Sequence, residues 1–539
     1  MKNELQDRST TALAVLLGTI VLALTFLGAV ALGAQGPADR GAFIVRRGAA
    51  DTLAIERFSR GADSLEGSLS VQNAPRVDYV AVLGAGNAVR VLSLSMFRSG
   101  ATPDEAPSQR VNITMRGDSA IADVQGMTQR LGTKTGAIPA INLSFAIFEI
   151  FTRRARAAGG TSVEQYFAVS GGVTLPVSMS PAGPDSVIAT INGQVHRCRV
   201  DTVGRILGCA IPAQQLEIFR VDAAAAAGLR IGKPDYSAPP NAPYTAEEVS
   251  LKGQGGIPLG GTLTIPKNVS GPVPAIVTIT GSGQQDRDEY IPVAGGYRPF
   301  RQLADTLGRR GIAVLRLDDR TIGASGGKIG TSADYAEDVR AALAYFRTRS
   351  EIDGKRLGLV GHSEGGLIAP LVAISEPALK GIVLLAGPAY NGLDILHFQQ
   401  KSAVDHDTSV APAKRDSAYR AYARMTDSAA AKDPWLGFFV TYDPMATARK
   451  VRAPALILQG RTDQQVTYEQ AEKLGAAMRA GGNRDVTVRV FPEMNHLFIH
   501  DPDGNPAGYG RLPTNKMNAE VLGAIADWLA SRMEVRPSP

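Results

Sequence analysis

Between residues 275 and 490 the chain alternates short, mostly apolar runs with helical patterns, and this alternation constrains its fold more than any other feature. The runs are 275–279, 312–317, 357–360, 381–385, 454–458 and 486–490. Strands that are apolar on both faces belong in a parallel sheet covered by helices on both sides. In the intervening stretch 332–349, Tyr335, Val339, Ala342, Leu343 and Phe346 fall on one helical face. Alternating β and α segments predict a doubly wound, mostly parallel α/β sheet, whose ligand site lies at the carboxyl ends of its strands. Residues 389–450 interrupt the alternation with a helical pattern, and an insertion there is placed to act as a lid.

At one strand end stands Gly361-His362-Ser363-Glu364-Gly365, a G-x-S-x-G pattern between the run 357–360 and a helix-like run. Strand, sharp turn, helix is the setting of a nucleophile elbow in an α/β-hydrolase. Gly361 and Gly365 suit the close approach of strand and helix that such a turn demands. A second match, Gly323-Ala324-Ser325-Gly326-Gly327, begins several residues after its strand and well before its helix. It reads as a glycine-rich loop. Either serine has a plainer reading as a turn residue, and context favours Ser363.

A serine hydroxyl attacks only when a base takes its proton and an acid orients that base. In this fold they follow in the order serine, acid, histidine. Asp463 comes shortly after the run 454–458, in a turn before a helical pattern; its alternative reading is a helix N-cap. His496 follows the last run in a loop, and His500 is its competitor. His362 lies inside the elbow, while His397 and His406 fall in the lid insertion. The oxyanion needs backbone donors. The N–H of Glu364 is one, and Ser282 or Gly283 in the early glycine-containing loop 278–284 supplies the other. No Gly-Lys-Ser/Thr follows that loop, so it is not a nucleotide phosphate cradle. Of the lid aromatics Trp435, Phe438, Phe439 and Tyr442, most should fix the lid to the core. One or two of Trp435, Phe438 and Phe439 are candidates to line a substrate pocket.

At 539 residues two domains are the natural division. Residues 40–235 show period-two runs joined by Gly/Asp turns, which predict a β-rich accessory domain of antiparallel strands. One helix is expected near 144–158, with Arg153, Arg154 and Arg156 at a solvated C-terminal end. Residues 236–248 read as a proline-rich linker, 249–534 as the catalytic domain, and 248–252 with 260–266 as its opening hairpin. Residues 9–38 carry no charge and 12–34 are almost all apolar, so 1–35 form either a signal peptide or a membrane anchor. Either places the rest of the chain outside the cytoplasm, periplasmic, secreted or membrane-tethered. Cys198 and Cys209 flank a turn; with a two-residue loop they face each other as a disulfide. With a three-residue loop ending in a left-handed Gly204, Cys209 slips to the other face. His196 is the one nearby metal-ligand candidate and fits no zinc spacing, so no metal is expected. The formal charge of +6 is spread along the chain without a basic, aromatic-rich block, which argues against a nucleic-acid partner.

Five segments in order resemble bacterial α/β-hydrolase-fold serine esterases. They are Thr280-Gly-Ser-Gly-Gln-Gln-Asp-Arg-Asp288, Arg316-Leu-Asp-Asp-Arg320 with Ser325, Gly361 to Gly365, Gly460-Arg-Thr-Asp-Gln-Gln-Val466, and Asn495-His-Leu-Phe498. The likeness extends to carboxylesterases with a β-rich N-terminal domain, near the prolyl-oligopeptidase and dienelactone-hydrolase branch. It implies Ser363 as nucleophile, Asp463 as acid and His496 as base, with no cofactor and a small-molecule ester as substrate. It also assigns Ser325 to an Asp-Arg-Gly-x-Gly-x-Ser loop, in which this chain has Thr321 at a glycine position. Residues 286–288 then brace the oxyanion loop through ion pairs. The same chemistry serves a peptidase, an aminopeptidase, a thioester hydrolase or an acyltransferase. A non-enzymatic envelope-binding protein is the remaining alternative. Oligomeric state is not legible.

Overall fold

The computed structural model describes residues 38–535 apart from 48–50, 73, 98–104, 125–126, 170–171, 192–193, 232–233, 268, 407–411 and 432. The signal or anchor segment therefore lies outside the described residues.

The described residues form two sheets. The first has fifteen strands, from β1 (Asp39–Arg47) to β15 (Leu216–Asp222), antiparallel except where β9 (Ile138–Ala140) runs parallel to β10 (Ser162–Ala168). Its order starts at β8 (Met127–Gly132) and ends at β9. Between β9 and β10 in sequence lies helix α1 (Phe145–Ala157), buried among the strands along most of its length. Glu56 reaches the start of α1 from inside the domain. It accepts from the Ala146 N–H at 2.9 Å, from Tyr79 Oη at 2.6 Å and from Ser144 Oγ. Ser144 in turn caps the helix.

The C-terminal end of α1 differs from expectation. Arg153 pairs with Glu149 at 2.8 Å, Arg154 donates to the carbonyls of Gly136 and Asn87, and Arg156 donates to that of Pro184. These arginines are not a solvated helix end. Because the helix sits within the curl of the sheet, its last turn is ringed by strand connections whose carbonyls need donors.

The cysteine hairpin combines both readings of its turn. Gly204 is left-handed at φ 83°, and Asp201 N–H bonds Arg205 O, as a three-residue loop requires. The register then shifts between Arg199 and Val200, leaving Leu207 as a bulge. That bulge undoes the slip and sets Cys198 opposite Cys209, where the structure joins them by a disulfide.

The linker ends sooner than its composition suggests. Strand β16 (Tyr244–Lys252) starts one residue after Pro243, and Tyr236 is pinned to the second domain by stacking under Arg287.

The second sheet contains β16, β17 (Pro258–Pro266), β18 (Val273–Ile279), β19 (Ala313–Leu317), β20 (Ile352–His362), β21 (Gly381–Leu385), β22 (Ala455–Gly460) and β23 (Val486–Phe491). Their order is β16-β17-β19-β18-β20-β21-β22-β23, with β18 to β23 parallel and the β16–β17 hairpin antiparallel at one edge. All six apolar runs of the sequence are strands here. The chain moves from β18 to β19 on one side and returns to β20 on the other. That reversal opens a crevice at the carboxyl ends of β18 and β20.

Counting the short helix Ala223–Ala227 as α2, the helices of this domain are α3 (Pro299–Arg309), α4 (Ser332–Phe346), α5 (Glu364–Ala373), α6 (Gly392–His406), α7 (Arg415–Ala430), α8 (Pro434–Thr441), α9 (Pro444–Ala448), α10 (Glu469–Ala480) and α11 (Ala519–Arg532). Among the described residues the insertion contains four α-helices, α6 to α9, between β21 and β22.

Candidate active site

Ser363 sits at the reversal point, between β20 and α5, with φ 53° and ψ −117°. This is a left-handed backbone on a residue with a Cβ, and it is held by its surroundings. A Cβ on Gly361 would fall 2.0 Å from Gly365 O, and one on Gly365 would fall 2.1 Å from Ile279 O. The elbow closes only because both positions lack a side chain. Ser363 N–H is fixed to Leu385 O at 2.8 Å. Glu364 is the first residue of α5, so its N–H has no partner within the helix, and the residue lines the site.

Ser363 and His496 line one cavity of about 340 Å³, together with Gly281, Ser282, Glu364, Trp435 and Phe439. His496 Nδ1 lies 2.7 Å from Asp463 Oδ2. The carboxylate accepts, so Nδ1 carries the proton and Nε2 is left free to act as a base. Asp463 is not the helix N-cap of its alternative reading, a place taken by Tyr468, but it caps the turn before the helix. Its Oδ1 accepts from the N–H groups of Gln465 and Val466 at 2.7 and 2.9 Å, while Oδ2 takes a further bond from Gln459. One carboxylate both caps the turn and holds the histidine. His500 is exposed and faces Glu493 at 3.3 Å, away from this set.

The loop after β18 approaches Ser363 closely. A Cβ on Gly281 would lie 3.2 Å from Ser363 Cβ. The Gly281 N–H is already committed to Glu289 Oε1 at 2.8 Å, which leaves Ser282 as the residue of this loop that lines the cavity with an uncommitted role. Gly283 is placed differently from expectation. It lines a smaller neighbouring cavity with Asp318 and Asp319.

Ion pairs brace the loop from behind. Arg287 bonds Asp318 and Glu248 at 2.7 Å, Asp288 meets Arg316, and Asp286 lies 3.4 Å from Arg298. Asp319 accepts from Gln285 N–H and Thr280 Oγ1, and burial pushes its carboxyl well above the usual range.

Two further residues were not singled out in the sequence. Glu289 Oε1 lies 2.8 Å from His362 Nδ1, and His362 Nε2 lies 3.0 Å from the backbone carbonyl of His496. Both partners are acceptors, so the ring donates from both nitrogens and carries a positive charge. Burial lowers the pKa of this imidazole, but the charge and hydrogen bond of Glu289 outweigh it, and the net shift is upward. This pair ties the oxyanion loop, the elbow and the His496 loop into one unit. Its signal in the sequence was a charged side chain at the variable position of the elbow.

Of the three candidate pocket aromatics of the lid, Trp435 and Phe439 line the cavity and stack on each other at 5.5 Å. Trp435 Nε1 also donates to Glu364 Oε1 at 3.0 Å, so the same ring anchors the lid to the elbow. Phe438 is not part of the lining and stacks on Tyr442.

Residues 294–503, which contain Ser363, Asp463 and His496, match the family model described as serine aminopeptidase, S33. The second domain has the α/β-hydrolase fold. The chain is 27% identical over 307 residues to esterase EstD of Thermotoga maritima, covering 55% of this chain and 69% of that protein. It is 24% identical over 265 residues to the uncharacterized peptidase YuxL of Bacillus subtilis, covering 46% of this chain and 35% of that one. Among solved structures, an esterase of Pyrococcus furiosus aligns with 17% identity and a TM-score of 0.40, covering 57% of this chain and 97% of that one. The family match and the curated relatives, named as an esterase and a peptidase, make the chain a hydrolase enzyme.

Proposed function

We propose that the protein is an exported serine hydrolase that cleaves carboxylic esters through an acyl-enzyme. The observation that carries this reading is the 2.7 Å bond from His496 to Asp463, beside the elbow serine in a shared cavity. Ser363 Oγ attacks the ester carbonyl while His496 Nε2 takes its proton. The oxyanion is held by the N–H of Glu364 and by the Ser282 loop. His496 then protonates the departing alkoxide as the carbonyl–oxygen bond breaks. Water, deprotonated by His496, releases the acid and restores Ser363.

An ester is favoured over an N-terminal peptide by the charges at the cavity. An aminopeptidase must offer a carboxylate to the substrate's ammonium group. Here the charge of Glu289 is balanced by His362, which bonds its Oε1 beside the Gly281 N–H, Glu364 Oε1 is taken by Ser332 and Trp435, and Asp463 is held by His496. Export is supported by the charge-free apolar segment 12–34 and by the Cys198–Cys209 disulfide, a bond suited to an oxidising compartment. That segment also supports tethering to the membrane if it is retained. The test is a fluorophosphonate probe with a panel of p-nitrophenyl esters and aminoacyl p-nitroanilides. Labelling of Ser363 and turnover of the esters alone are expected. An unlabelled protein, or faster anilide turnover, defeats the reading.

A further inference from the structure

Beside the Ser363 cavity lies a second one, about 700 Å³ in volume. Most of its wall comes from the N-terminal domain, including Phe145 and Phe148 of α1 and the strand residues Leu175 and Ile191. The hydrolase domain closes its remaining side with Val293 and Pro506, and both of these also line the Ser363 cavity. The two cavities therefore adjoin across one rim. Val293 is 56% exposed on that rim, an apolar side chain left uncovered where the domains meet.

The rim is held in place by Arg47 of β1. Its guanidinium donates to Tyr290 Oη at 2.6 Å, to Pro292 O at 3.4 Å and to Gln214 O at 3.5 Å. The turn that carries Val293 is thus tied to the N-terminal domain through Tyr290 and Pro292. His196 faces the second cavity, stacked on Phe148 at 5.3 Å. Burial lowers the pKa of His196 and so disfavours its charged form. The arginines that border the cavity, Arg197 and Arg511, are exposed to water. A preformed cavity of this size, apolar over most of its wall with its two arginines turned to water, suits a hydrocarbon group.

We propose that the N-terminal domain's cavity receives a long alkyl chain of the substrate, making the preferred substrate a lipid-like ester whose carbonyl lies at Ser363 and whose chain passes Val293. This rests on the Ser363 reading above and extends it to substrate class. The shared chemistry is an unbranched chain, and the acyl and alcohol halves of the ester are its two sources.

The test uses the full chain and two series, p-nitrophenyl esters from acetate to dodecanoate and acetates of ethanol to dodecanol. In one series kcat/KM should climb about fourfold per methylene over the lengths that occupy the cavity. Whichever series climbs identifies the half that enters. Ile191→Trp and Leu175→Trp, made separately so that one misfolded variant does not end the test, fill the cavity. Each should cut the decanoyl or decyl rate roughly tenfold or more while leaving ethyl or nitrophenyl acetate within about twofold. Ile191→Val should keep the wild-type profile.

Binding is read independently of catalysis by titrating 11-(dansylamino)undecanoic acid into the Ser363→Ala protein. Saturable binding, competed by decanoate and weakened by Ile191→Trp, is expected. Flat profiles in both series, unchanged slopes in both tryptophan variants, or no saturable binding overturns the proposal. If the Ser363 reading itself is wrong, acetate esters are not turned over and the fluorophosphonate does not label. The fatty-acid titration still reports on the cavity in that case.

Discussion

Ser363 and Ser325 occupy the same five-residue pattern and have opposite fates. Ser363 is lifted on a left-handed backbone between a strand and a helix, facing a cavity beside His496. Ser325 is buried, and its hydroxyl is used twice, donating to Asp318 O at 2.7 Å and accepting from Gly260 N–H at 3.0 Å. One serine keeps its oxygen free because glycines let two backbones meet around it. The other lends its oxygen to hold two strand ends together. The pattern specifies a tight glycine-flanked turn, and the distance from strand end to helix start decides whether that turn presents its serine or consumes it.

The largest test of this contrast is the pair Ser363→Ala and Ser325→Ala. On the proposed mechanism Ser363→Ala loses on the order of 10⁴-fold or more in ester kcat with unchanged melting behaviour. Ser325→Ala should keep kcat but lose about 1–3 kcal/mol of stability, because a buried N–H and a buried carbonyl lose their partner. Equal activity losses in the two variants would erase the distinction.

The Glu289–His362 pair sharpens it from the elbow's side. Glu289→Gln leaves a buried imidazolium without its counter-charge, with His496 4.8 Å away and Asp463 beyond it. A destabilisation of up to roughly 3 kcal/mol is expected at low pH. The pKa of His362 is raised above its ordinary 6.5, so the charged pair contributes fully below that value. Its contribution is lost as pH rises through the higher folded pKa. The gap in Tm between wild type and Glu289→Gln should therefore be widest below pH 6.5 and narrow above it. A gap that widens with pH means the ring is neutral in the fold.

The sheet was legible because its strands are apolar on both faces, and 381–385 can be little else than a buried parallel strand. The placing of Ser363, Asp463 and His496 followed from strand ends and loops, whose order is set along the chain. Glu289 was not legible. It stands in an acidic turn at φ 54°, and only the fold carries it under the elbow to His362. The arginines of α1 misled for a similar reason. Basic residues at a helix end read as solvated until the sheet curls around them. The cysteine register hung on a bulge at Leu207 that no local preference announces.

The smallest effect concerns Thr321, in the loop that consumes Ser325. The sequence pattern has glycine there, and the structure shows why: φ is 76°, a left-handed backbone that a β-branched residue adopts at a cost of about 1–2 kcal/mol. The turn nevertheless closes, with Thr321 N–H bonded to Gly326 O at 3.1 Å and Ser325 N–H to Ile322 O at 2.8 Å. Thr321→Gly removes the strain but gives the unfolded chain more freedom, which offsets roughly 0.5–1 kcal/mol. The net expectation is a stabilisation of about 0.5–1 kcal/mol, read as a rise of roughly 2 °C in Tm, with ester kcat unchanged. If Thr321→Gly instead lowers Tm, the threonine side chain makes contacts worth more than its backbone strain. The loop around Ser325 would then be tuned for rigidity by that side chain, whereas the elbow around Ser363 is made by removing side chains at Gly361 and Gly365.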